Sequence, residues 1–239
     1  MAALTILKTR ARVLGLVVMI EVVAVQAVAA VGRGLATRAQ WNLLRYVPGF
    51  PGRLGGLVRK NIRELLSALD VYVAVLLSLG GIAYRLFEPH PDRFAFPILS
   101  LLVALAMSTY GQCLFGLELA SAGMTRYRLL PLRGWEVLLA KDAAVLGILI
   151  LLVLPLDPWP GTTFALTALA IGHYSSCCLP APQQRWRFTG SRLFPALIQG
   201  IGGMLMGFAE VEAGRSFLVL SAAGYVVSLR FFGGVWERR

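Results

Sequence analysis

Apolar residues along the chain fall in blocks long enough to cross a bilayer, and the gaps between them alternate between basic stretches and short acidic or proline-rich turns. The first block, residues 13–31 (VLGLVVMIEVVAVQAVAAV), is just long enough to span, since about 20 residues traverse the hydrocarbon core. It contains Glu21 and Gln26, and a carboxylate at that depth is costly unless it is paired, neutral or turned toward protein. Six further segments lie near 71–87, 94–117, 136–156, 162–178, 193–211 and 215–232. Just before them, in LGGLVRKNIRELLSAL, Leu54, Leu57, Val58, Ile62, Leu65, Leu66 and Leu69 recur at helical spacing, with Arg59, Lys60 and Arg63 on the other face. That pattern suits an amphipathic helix lying in the headgroup layer. The expected fold is all-α: a polytopic membrane protein with a six-helix core in a domain at 54–239, opened by an interfacial helix at 54–69. Residues 1–53 supply an extra N-terminal transmembrane helix and a basic linker.

Composition agrees with the pattern. Of 239 residues 57% are hydrophobic and 15% charged, where soluble domains carry about 25% charged residues. Mean hydropathy is +0.71. Apolar blocks of this length would be an aggregation liability in water. The net charge of +11 raises nucleic acid as a partner, but the basic residues are distributed among the gaps and not gathered on one polar face. Seventeen of the 23 basic residues fall on one side of the alternation: seven in 32–69, four between Arg126 and Lys141, three in 179–192 and three at the C-terminus. Arg85, Arg93 and Arg215 fall on the other, and three precede residue 13. The positive-inside rule then puts the basic loops and the C-terminus in the cytosol of a multi-pass protein of the inner (cytoplasmic) membrane. With 13–31 as a span, the basic N-terminus falls outside, against the rule. Gly80–Gly81 and the GxxxG pair Gly203 and Gly207 allow close helix contact.

Candidate chemistry is sparse. The sequence contains no GxxxxGK[ST] phosphate cradle and no HExxH zinc motif. His90, in EPHPD, is expected to be a solvated turn residue and His173, in GHYSS, a packed polar one. Ser175 and Ser176 lack the GxSxG setting of a nucleophile, and serines at a span end usually bond their own helix. Cys113, Cys177 and Cys178 have no metal spacing and fit small buried hydrophobes, with palmitoylation of Cys177 and Cys178 the lesser reading. Glu21 is the one well-placed acid for an ion-driven carrier, which counts against a secondary transporter. No catalytic, cofactor-binding or metal residue is assigned, and the chain is expected not to be an enzyme.

What remains is the longest polar interruption, Phe115 to Asp142, FGLELASAGMTRYRLLPLRGWEVLLAKD. It mixes Arg126, Arg128, Arg133 and Lys141 with Glu118, Glu136 and Asp142, and is broken by Pro131 and Gly134. A short helix between Leu119 and Leu130, stopped by Pro131, would form a rigid knob, with Arg126, Tyr127 and Arg128 as interface anchors. Gln112, Phe115, Gly116, Glu118, Leu129, Leu130, Pro131 and Lys141 resemble the cytosolic loop of export-type (type-2) ABC transporter permeases. Val58–Asp70 is similar to the interfacial elbow helix of that group, and His173–Phe188 to its second cytosolic loop. The resemblance covers about 54–239. It implies the membrane subunit of an ATP-driven exporter, working as a dimer or with a second permease half, in contact with lipid. It implies a separate ABC ATPase subunit that binds the ATP and docks on Glu118, Arg126, Tyr127, Arg128, Pro131, Arg133 and Lys141. A complete permease and the C-terminal half of a longer one both fit, and lipid, glycan, peptide and drug all stay open as substrate. The competing readings are a membrane assembly or regulatory protein and an intramembrane lipid-modifying enzyme.

Overall fold

The computed structural model describes residues 47–88, 90–120, 124, 127, 129–189 and 192–238. The expected span at 13–31, most of the basic linker, and Arg126 and Arg128 lie outside the described residues. Every described element is a helix: α1 (Gly55–Leu65), α2 (Leu69–Phe87), α3 (Ala95–Gly111), the short α4 (Gly116–Ala120), α5 (Gly134–Val153), α6 (Pro158–Cys178), α7 (Leu193–Ala213) and α8 (Ser216–Glu237). Met124 and Tyr127 are also helical.

Four helical stretches are long and apolar enough to cross a membrane: α2, Ala95–Leu119, α7 and α8. Their outward faces suit lipid, since Leu79, Leu197, Ile201, Leu205, Val227 and Phe231 are exposed. α5 and α6 match them in length, at 20 and 21 residues, but carry more polar side chains. Those side chains are turned inward: Lys141, Asp142, Thr163, His173, Ser175 and Ser176 are all buried. α6 sits at the centre, packed on α3, α5, α7 and α8, while α5 packs on α1, α8, α6 and α3.

Close approach depends on glycine at a few points. A Cβ on Gly172 of α6 would meet the Gly111 carbonyl oxygen of α3 at 2.6 Å, and one on Gly233 of α8 would meet the Trp135 backbone nitrogen of α5 at 2.6 Å. The GxxxG pair works differently from a backbone-to-backbone seam. Gly203 receives the Phe164 ring from α6 and Gly207 the Leu101 side chain from α3.

Two of the boundaries that differ from the expected ones have a visible cause, one tertiary and one local. The amphipathic helix expected at 54–69 ends at Leu65, because Ala68 is extended (φ −93°, ψ 136°). The Leu69 amide then donates to the Arg187 carbonyl at 3.2 Å instead of continuing the helix. The segment expected at 94–117 breaks after Gly111, where Gln112, Cys113 and Gly116 each bond three residues back. Such tight turns commonly close helix ends. Elsewhere local signals suffice: Pro158 opens α6 behind Asp157, whose carboxylate accepts from the Trp159 amide at 3.3 Å.

The helices alternate up and down, giving the bundle two unlike ends. At one, Arg85 donates to the Leu156 carbonyl and Arg93 pairs with Glu212 at 3.4 Å. At the other, the Gly134 amide at the start of α5 donates to Glu237 Oε1 of α8 at 2.5 Å. That second, basic end also holds α1, α4 and the 179–189 loop.

Candidate functional site

The basic end is organised around Lys141. It lies two turns into α5, is 1% exposed, and would cost several kcal/mol to bury alone. Its ammonium donates to Glu118 Oε1 of α4 at 2.8 Å and to Asn61 Oδ1 of α1 at 3.5 Å. Glu64 Oε2 of α1 stands 3.9 Å away. The Phe115 and Tyr127 rings flank the cation at 5.1 and 5.4 Å from their centroids, a geometry in which the ring faces attract it.

Lys60 completes the cluster from the solvent side. Its ammonium donates to Glu118 Oε1 and to the Tyr127 hydroxyl, each at 2.8 Å, and pairs with Glu64 Oε1 at 3.0 Å. The Tyr127 hydroxyl in turn donates to Glu118 Oε1 at 2.7 Å. Two ammonium groups thus face two carboxylates, and the net formal charge is zero. Burial and the neighbouring Glu118 carboxylate push the Tyr127 phenol above its ordinary value, so it remains a donor. Burial, reinforced by Glu118, also raises Glu64 above the ordinary carboxyl value, against the downward pull of Lys141 and Lys60. A buried, internally balanced cluster of this kind holds α1, α4, Tyr127 and α5 in one geometry. Breaking one partner leaves the others uncompensated.

The sequence-expected residues divide accordingly. Glu118, Tyr127, Lys141 and Lys60 come together. Tyr127 is 4% exposed, so it faces the protein, whereas the sequence reading made it a surface anchor. Arg59 donates to the Val47 carbonyl at 2.8 Å, and Arg63 is half-buried on the same helix. Pro131 and Arg133 are exposed beside Leu129 and Leu130. They border an open cleft of about 420 Å³ closed by Arg53, Trp135 and Glu136. The Arg53 guanidinium donates to the Pro131 carbonyl.

The 179–189 loop is fastened to the same corner. Asp70 Oδ2, at the start of α2, accepts from the Thr189 amide at 2.8 Å and its hydroxyl at 2.7 Å. Asp70 Oδ1 accepts from Thr109 of α3 at 3.1 Å. The Trp186 amide donates to the Ser67 carbonyl at 2.7 Å and the Gln183 amide to the Gly116 carbonyl at 2.9 Å. Trp186 adopts a left-handed backbone (φ 60°), an unusual state for a bulky residue. Both loops therefore meet at the α1–α2 corner.

Sequence reasoning missed Asn61 and Glu64, which lie on the buried face of α1 and not with its charged residues. It also missed Asp142. His173 is fully buried, as expected of a packed polar residue, with Asp142 Oδ2 2.9 Å from its Nε2. An adjacent Lys-Asp pair inside an apolar helix was the available signal, since charges at that depth face protein partners. Ser176 departs from the expectation that it bonds its own helix: it donates to the Gly111 carbonyl of α3 at 2.9 Å. Cys113 and Cys177 are buried, and His90 is exposed. Among the described residues, His, Cys, Asp and Glu form no group of three that could hold a metal ion. The chain matches no family model, no curated protein and no solved structure.

Proposed function

We propose that the chain is the membrane subunit of an ATP-driven exporter, with α5 and α6 as two further spans beside the four apolar ones. The basic end faces the cytosol of the inner membrane, where a separate ABC ATPase subunit docks on the loop between α4 and α5. A second permease copy or half completes the transporter. The observation that carries this reading is the buried Lys60–Glu118–Tyr127–Lys141 cluster. A partner pressing on an exposed loop can do work on the membrane helices only if the loop is rigidly joined to them. Here the joint is a largely buried ion-pair cluster between the loop, the interfacial helix and α5, with Lys60 on its water side. ATPase closure would then bias the tilt of α5 and its neighbours, shifting inward- and outward-open populations. The asymmetry of basic residues between the two ends supports the orientation, and the exposed Leu129–Pro131 tip beside Arg133 supplies an apolar and cationic contact. The test replaces Arg126 and Arg128 together by Glu and recovers the ATPase with the tagged permease from detergent. Recovery is expected to fall about tenfold or more, equivalent to about 1.4 kcal/mol. Unchanged recovery with unchanged ATP hydrolysis would overturn the docking.

A further inference from the structure

Asp142 follows Lys141 directly but faces another side of α5, into a closed site shared with α6 and α8. Neither the Asp142 nor the His173 side chain has solvent exposure. The Tyr225 hydroxyl donates to Asp142 Oδ2 at 2.9 Å, the same oxygen that lies 2.9 Å from His173 Nε2. On the other side of the ring, His173 Nδ1 lies 3.0 Å from Ser228 Oγ.

The placement of protons follows from counting donors. A serine hydroxyl has one proton, and Ser228 gives it to the Ala170 carbonyl at 2.6 Å; two oxygens that close repel without a proton between them. Ser228 Oγ must therefore accept from the imidazole, which puts a proton on Nδ1. On the far side, Nε2 and Asp142 Oδ2, which already accepts from Tyr225, lie close enough to need a proton between them, and an imidazole, the more basic of the two groups, takes it on Nε2. We propose that His173 and Asp142 form a proton-binding site. The imidazole takes one proton from solution, and the pair holds it as an imidazolium–carboxylate bridge fastening α5 to α6 and α8. Charge-assisted bonds of this kind have donor–acceptor distances near 2.7–2.9 Å. The same count keeps Ser228 from acting as a nucleophile in this state, because its proton faces the Ala170 carbonyl and not the ring.

Other ionisable groups on the surrounding helices are engaged elsewhere. Lys141 goes to Glu118, Glu136 accepts from the Arg133 amide, Glu237 from the Gly134 amide, Arg230 of α8 lies over the Trp135 ring, and Tyr174 of α6 packs on Phe232. The bridge does not depend on what docks at the basic end.

The chain has two histidines, so H90Q leaves a single imidazole. With ¹⁵N-histidine labelling of the full-length H90Q protein in lipid bilayers at neutral pH, magnetic resonance should show two proton-bearing ring nitrogens. Adding D142N should convert Nε2 to an unprotonated, pyridine-like nitrogen. A pyridine-like nitrogen in the H90Q parent would overturn the proposal, as would an imidazolium that survives D142N. The parent spectrum decides the matter even where the double variant does not fold. Y225F offers a milder second perturbation: it is expected to keep both N–H signals and shift Nε2 more than Nδ1. Equal shifts at both nitrogens, or none, would overturn the assignment of Oδ2 as the shared acceptor.

Discussion

Lys141 and Asp142 are neighbours in sequence with opposite charges and unlike surroundings. Lys141 belongs to a four-charge cluster with one side on water, since the Lys60 side chain is 44% exposed. It joins pieces of chain that are not part of the long-helix bundle: α1, α4 and Tyr127. Asp142 belongs to a site sealed on every side, and it joins three long helices to one another. The first cluster joins the interfacial helix and loop segments to the bundle, and the second joins helices within it. One helix can carry both because successive residues project about 100° apart around its axis.

The contrast can be broken by substitution, and the largest effect is expected at Lys141. Lys141→Met leaves Glu118 and Glu64 buried without their main counter-charge, at a cost of about 3–5 kcal/mol. Denaturation in detergent would measure it, and adding Glu118→Gln should restore part of the loss. Asp142→Asn should cost less, about 2–3 kcal/mol, because the Asn amide can donate to the then-neutral imidazole while Tyr225 loses its acceptor. Equal losses at the two positions would mean that the sites do not differ in kind. Tyr127→Phe removes one donor and one acceptor from the cluster and should cost about 1.5 kcal/mol, with the bundle helices otherwise unchanged by hydrogen exchange.

The smallest effect concerns pH. Glu64 is raised in the folded protein, so the folded state binds its proton more tightly than the unfolded chain does. Stability from this group is therefore greatest below the ordinary carboxyl value of about 4.3 and declines as pH climbs through the raised value. Glu64→Gln should flatten that decline in a melting-temperature profile. A profile identical to the parent's would place the slope in another group.

Much of the scaffold was legible. Runs of apolar residues marked the long helices, and Pro158 behind Asp157 marks the start of α6. Of the seven polar-loop residues that suggested a functional site, Glu118, Tyr127 and Lys141 gather, with Lys60 arriving from the amphipathic helix, while Pro131 and Arg133 lie exposed apart from them. What was hidden depended on partners far along the chain. Nothing near Ala68 announces the end of α1, because the competing acceptor is the Arg187 carbonyl. Asn61 and Glu64 read as ordinary polar positions until α5 brings Lys141 against them. The Asp142–His173 pair forms only after α5 and α6 fold back on each other. A turn-by-turn tally of charges therefore credited both Lys141 and Asp142 to a polar loop, although helix α5 carries them inside.

The Gln183 amide on the Gly116 carbonyl, together with Thr189 on Asp70, stitches the two loops at the basic end into a single plate. A binder raised against the tip around Trp186 would thus grip both at once. An antibody fragment seated there should slow hydrogen exchange at the Gln183 and Thr189 amides that tie the two together.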